Sequence, residues 1–292
     1  MSPFRLLFQY HYNITICDII FTMSVIKVEK LTKTFRKVKA ICDIDISIRE
    51  GSITGFLGPN GSGKSTTMNV LLGFINATLG EAKIFDEKVS VNNVRTRRDV
   101  GFLSSNMALD KTLTAQQELE YFGYLNKKFD QKYVSELARK LNLDLKQKIG
   151  QMSTGNHQKV ALIIALMGRP KLLILDEPTN GLDPLVQAEF NKIIRELADN
   201  GSTVFISSHI LSEVDELCDE FVFIKKGKIV ANISKDELLK KAGKSITIKP
   251  TDANRSDIIA WLKKNKIEYE IEATDLEATF MHYYEDDGSS DV

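Results

Sequence analysis

Over residues 25–55 apolar and polar positions alternate (Val25, Val28, Ile41, Ile44, Ile46, Ile48, Ile53), the two-residue period of strands with one buried face. The pattern predicts antiparallel strands joined by the polar stretch Thr32 to Lys39. The next segment, SITGFLGPNGSGKSTTMNVLLG, reads as a buried strand, a glycine-rich loop and a helix with Met68, Leu71 and Leu72 on its apolar face. Between Leu113 and Leu145 the spacing turns helical: Leu119, Phe122 and Leu125 form one stripe, Val134, Leu137 and Leu141 another. An all-helical insertion is expected there, over about 105–165. KLLILDEP and TVFISSH are short, continuously apolar runs ending in polar residues, as central parallel strands do when both their faces are covered. Ligands of open α/β sheets bind at the C-terminal ends of such strands. Beyond about Gly243, the short units SITIKP, SDIIAWLKKN, IEYEIEA and LEATFMHYY predict a small α/β appendage over 241–292, and the acidic end EDDGSSDV is expected to fray.

No run reaches the roughly 18 uninterrupted apolar residues of a membrane-spanning helix. Residues 1–22 come nearest, but Arg5, Gln9, His11, Asn13 and Asp18 break them up and no small-residue cleavage site follows. We expect a leader outside the fold, with an extra strand or a peripheral anchor as the alternative, and a main domain over 23–240. Of the 292 residues 43% are hydrophobic, enough to bury a sizeable sheet. Lys plus Arg and Asp plus Glu both number 39, so no bulk positive field points to nucleic acid. Cys17, Cys42 and Cys218 are an odd number without CxxC spacing, which argues against a disulfide framework or a zinc knuckle and fits a reducing compartment.

Gly58-Pro59-Asn60-Gly61-Ser62-Gly63-Lys64-Ser65-Thr66 satisfies the phosphate-loop pattern, GxxxxGK followed by Ser or Thr. Glycines let successive backbone N–H groups turn inward around phosphates, and the following helix adds its positive end. Lys64 is expected to bridge the β- and γ-phosphates and Ser65 to hold Mg2+. Asp176 ends the apolar run Leu172 to Leu175, with Glu177 beside it. A carboxylate at a strand end binds Mg2+ through water and its neighbour polarises the attacking water, so Asp176 is expected on the metal and Glu177 as general base. An exposed acidic turn before Pro178 is the alternative.

MSTGNHQKV lies just before LLILDEPTNGLDP, and SSH follows. With the phosphate loop, these motifs resemble the ABC ATPase family over nearly all of residues 25–235. The resemblance implies a P-loop NTPase core of RecA-like α/β type with an antiparallel β subdomain and a helical insertion. It also implies ATP and Mg2+ as ligands, a second ATPase subunit and a polytopic membrane permease as partners, and a peripheral place on the cytoplasmic face of the membrane. In that family the nucleotide sits between two subunits. By position, Ser153, Thr154 and Gly155 would then act on the γ-phosphate held by the opposite subunit, Asp183 in the loop coupling the two sites, and His209 on the γ-phosphate. A Ser hydroxyl, a flexible Gly and the N-terminal end of a helix over Gln158 to Leu166 all donate to an anion. Phe35 occupies the place of the aromatic that stacks on adenine, although Phe is also a common core residue. STG, NHQKV, PLVQAEF, HILSEVDELCDEFVFIKKGKIV and LEATFMHYY resemble exporter-type subunits such as those for sodium or peptide antibiotics.

Two positions depart from the family pattern. Thr154 stands where the signature has its first Gly, and Ser105 or Asn106 stands where many members carry a Gln that reaches Mg2+ and the membrane subunit. The competing class is a soluble ABC ATPase acting on nucleic acid or ribosomes. Ribosome-acting members typically carry two cassettes, and DNA-repair relatives insert a long coiled coil or zinc hook, whereas here there is one phosphate loop, one signature and one DEP.

Overall fold

A computed structural model describes residues 24–104, 107–126 and 129–241, with positions 261 and 264 besides. The expected leader, nearly all of the expected C-terminal appendage, and Ser105 and Asn106 therefore lie outside the described residues. The chain opens with β1 (Ser24–Phe35) and β2 (Val38–Arg49), which pair antiparallel from Ser24↔Arg49 to Phe35↔Val38. The stretch from Thr32 to Lys39 is thus mostly strand rather than connector. Only Arg36 and Lys37 turn, with Arg36 in the left-handed region at φ 53°. After β3 (Ile53–Leu57) and α1 (Lys64–Leu71), β4 (Leu79–Ile84) and β5 (Glu87–Lys88) complete a four-stranded sheet of order β2-β1-β4-β5.

The second sheet receives β6 (Val100–Leu103), β7 (Leu172–Asp176), β8 (Thr203–Ser208), β9 (Glu220–Lys225) and β10 (Lys228–Ser234), in the order β10-β9-β3-β8-β7-β6. All its pairings are parallel except β9 with β10. Strand alternation divides its side chains between two cores. Phe56, Leu172, Ile174, Phe205 and Val222 pack with α1 and the antiparallel sheet on one face. Leu57, Leu173, Leu175, Ile206 and Phe223 pack on the other against helices. With both faces covered, apolar residues are favoured at every position, which is why β7 reads as a continuous apolar run.

The helices on the second face are α2 (Ala115–Asn126), α3 (Gln131–Lys140), α4 (Thr154–Leu166) and α5 (Pro184–Asp199); α6 (Lys235–Lys241) follows β10. Val160 to Leu166 are all buried, as in a helix enclosed on every side. By contrast α5 is amphipathic, burying Val186, Phe190, Ile193, Ile194 and Leu197. Its start is set by Asp183, whose carboxylate accepts the Val186 N–H at 3.0 Å, and by Pro184 at the first helical position. Leu119, Val134, Leu137 and Leu141 join the core as the helical spacing predicts, whereas Leu125 is exposed on α2 together with Tyr121 and Tyr124.

Candidate nucleotide-binding site

The loop between β3 and α1 folds as it does because three of its positions exclude ordinary side chains. A Cβ on Gly58 would lie 2.2 Å from the Ile224 carbonyl oxygen of β9, and one on Gly63 would lie 2.7 Å from that of Ala40. Gly61 and Gly63 have φ of 77° and 113°, a region costly for any L side chain. The turn after β9 closes the loop from behind, where the Gly227 N–H donates to the Ser62 carbonyl at 2.8 Å. Pro59, Asn60 and Gly61 are exposed at the tip, Ser65 is exposed and Thr66 half-buried on the first turn of α1. The Ser62 hydroxyl is buried without a hydrogen-bond partner, so the loop holds a polar group that a phosphate oxygen would satisfy.

Lys64 is 5% exposed, and its ammonium donates to the Gly58 carbonyl at 2.6 Å and the Pro59 carbonyl at 3.3 Å. It also stands 3.4 Å from Glu177 Oε1. Glu177 gathers further donors: Asn180 Nδ2 donates to its Oε2 at 2.9 Å, and His209 Nδ1 lies 2.9 Å from the same oxygen. Glu177 has φ 49°, and a non-glycine residue held there costs on the order of 1–3 kcal/mol, a strain that clusters at functional sites. Asp176, the last residue of β7, is buried and accepts the Ser207 hydroxyl proton at 2.6 Å. The predicted residues Lys64, Asp176, Glu177 and His209 thus meet at the C-terminal ends of β3, β7 and β8.

Ser153 to Gly155 form a separate unit. The helix begins at Thr154, four residues earlier than Gln158, because Ser153 caps it: its hydroxyl accepts the Asn156 N–H at 3.3 Å. Ser153 and Thr154 are exposed, and among the described residues no hydrogen bond or ion pair joins Ser153, Thr154 or Gly155 to the phosphate loop of the same chain. Gly155 packs tightly on the DEP segment, since a Cβ there would come 2.5 Å from the Gly181 carbonyl oxygen. Gln158, one turn on, donates to the Pro178 carbonyl at 3.0 Å. Phe35 is 46% exposed rather than packed, and the Lys33 ammonium lies 5.0 Å from its ring centre.

The sequence reading missed Ser207, Asn180 and Gln158. Asn180 lies within the quoted TNG and Gln158 within NHQKV, but their partners come from folding and not from neighbours in the chain. Among the described residues no cluster of three or more His, Cys, Asp or Glu side chains could cage a metal. The residues expected to hold Mg2+, Ser65 and Asp176, offer one hydroxyl and one carboxylate. That pair suits an ion such as Mg2+, which keeps several waters and takes its other ligands from phosphates.

Residues 41–180 match the ABC transporter family model. The bacitracin transport ATP-binding protein BcrA of Bacillus licheniformis is 33% identical over 262 residues, covering 89% of this chain and 86% of its own. The probable multidrug ABC transporter ATP-binding protein YbhF of Escherichia coli is 31% identical over 220 residues, 74% of this chain and 38% of its own. Among solved structures, an ATP-binding cassette captured as a post-hydrolysis dimer with ADP and Pi superposes with a TM-score of 0.67 at 25% identity, covering 72% of this chain and 98% of that one. A phosphate loop facing a Glu177–His209 pair, on a scaffold shared with these proteins, makes this chain a member of the ABC transporter family, an ATP-binding and ATP-hydrolysing subunit.

Proposed function

We propose that two ATPase subunits, this chain and either a second copy or a related chain, close around ATP and drive a separate polytopic membrane subunit, in export, from the cytoplasmic face. The observation that carries the catalytic part is the convergence of Lys64, Asn180 and His209 on the Glu177 carboxylate. A γ-phosphate brings to the loop the kind of charge that Glu177 presents to Lys64 and His209 here. Lys64 and His209 would turn to it, with backbone N–H groups of the loop, freeing a Glu177 oxygen for water. Glu177 then accepts a proton from that water as its oxygen attacks the γ-phosphorus in line, and the β-phosphate leaves with ADP. Bound Mg2+, held by Ser65 and through water by Asp176, would neutralise charge on the β- and γ-oxygens. Phe35 offers an exposed face for adenine stacking.

Ser153 and Thr154 are exposed at the start of α4 beside Gly155, and among the described residues none of the three bonds to the phosphate loop of its own chain, which supports their acting on a partner's γ-phosphate. Asp183, spent on capping α5, anchors the loop that would run between the two sites. Among the described residues no helix is long and apolar enough to cross a membrane; in the proposed reading a separate membrane chain carries the transport step. The exposed Tyr121, Tyr124 and Leu125 of α2 give such a chain an apolar contact. Transport of bacitracin and of multiple drugs, named for the two relatives, supports export.

Replacing Glu177 with Gln tests the reading. The carboxamide keeps the shape but takes no proton, so turnover should fall about 100- to 10,000-fold with ATP binding retained. Wild-type turnover would remove Glu177 from its role. Co-purification with a polytopic membrane protein checks the transport assignment against a soluble role on nucleic acid or ribosomes.

A further inference from the structure

The parallel register of β7 and β8 sets Ser207 directly beside Asp176. Ser207 is fully buried, and its hydroxyl has one proton to give and lone pairs to receive. The proton goes to Asp176 Oδ1 at 2.6 Å, and the oxygen accepts the Glu177 N–H at 3.0 Å. One hydroxyl therefore fixes the rotamer of the expected metal carboxylate and the backbone of the expected general base. The second bond matters because Glu177 sits at φ 49°, where a residue with a Cβ persists only if its surroundings hold it. That twist aims the Glu177 side chain at His209, Asn180 and Lys64.

We infer that Ser207 is a positioning residue that sets both acidic groups of the nucleotide site, acting on turnover and on the Mg2+-linked part of nucleotide binding rather than on nucleotide binding as a whole. This rests on the roles proposed above for Asp176 and Glu177. A purely structural serine would lower stability and leave kinetics unchanged once folded. A positioning serine would change the reaction in protein that is fully folded, because misplacing a reacting group by about 1 Å costs on the order of 100-fold and loss of a group that orients a metal ligand costs about 10- to 100-fold in metal affinity or activity.

The experiment compares full-length wild type with Ser207→Ala, Ser207→Thr and Glu177→Gln. Steady-state ATPase rate, melting temperature, and ATP affinity in EDTA and in Mg2+ are measured for each. Ser207→Ala is expected to lower kcat about 10- to 100-fold, to keep affinity in EDTA within about twofold, and to shrink the extra affinity that Mg2+ confers. Ser207→Thr keeps the hydroxyl and should recover most of the rate. Should Ser207→Ala fail to fold, Ser207→Cys replaces it with the same expectations, since a thiol keeps the volume but is a weak, longer donor. If Glu177→Gln is inactive while Ser207→Ala turns over like wild type, the inference about Ser207 falls and the site reading stands. A Ser207→Thr variant as slow as Ser207→Ala would also overturn it, assigning the loss to packing. If Glu177→Gln itself turns over normally, the site reading fails first.

Discussion

Lys64 shows how one side chain is shared between fold and chemistry. Its ammonium is buried, bonded to two loop carbonyls and close to Glu177, so it shapes the loop and is already where a polyphosphate would need a cation. Lys64→Ala should therefore weaken ATP binding about tenfold or more, the worth of one lost charge-assisted hydrogen bond. Equilibrium titration with ATP checks this, and unchanged affinity would count against Lys64 as a phosphate partner. At this scale the site was legible wherever chemistry is written in adjacent letters, as in Gly63-Lys64-Ser65 or Asp176-Glu177. Ser207 was not, because its importance lies in the register of one strand against another. That register puts residues 31 positions apart within 2.6 Å and leaves no mark in local pattern.

At the scale of elements, caps decide where helices start. Asp130 opens α3 by accepting the Tyr133 N–H at 3.1 Å, and the Arg169 guanidinium pairs with its other oxygen at 3.2 Å. These contacts, the backbone hydrogen bond above all, hold its carboxyl below the usual aspartate range. A depressed folded-state pKa adds stability above the unfolded value, near pH 4, that disappears as pH falls through the lower folded value. The gap in melting temperature between wild type and Asp130→Ala should therefore be wider at pH 7 than at pH 3. An equal gap at both would show that the carboxylate's charge plays no part. Element boundaries were the least legible feature of the sequence. Thr32 to Lys39 look polar because β1 and β2 extend past the core there, and α4 begins at Thr154 because Ser153 caps it rather than where its apolar run begins. The buried strands β7 and β8 were readable because burial on both faces leaves an unbroken apolar string.

Across the whole molecule, the two sheets bring the phosphate loop, the DEP turn and His209 to one edge, while the start of α4 packs on the DEP segment and, among the described residues, Ser153 and Thr154 make no hydrogen bond to that loop. Under the proposed function, a second subunit facing the other way would bring its own signature to this phosphate cradle. The architecture of a P-loop core with a β subdomain and helical insertion followed from the order of motifs and of apolar periods. The proposed division of labour between two chains came only from the family resemblance, since no pattern within one chain encodes the surface of another. Closure around ATP by two copies of this chain is read by size-exclusion chromatography of the Glu177→Gln protein with ATP and Mg2+, where blocked hydrolysis keeps the joined form from reopening. A dimer is expected with ATP and a monomer with ADP, which lacks the γ-phosphate; a monomer in both would contradict closure of two copies of this chain.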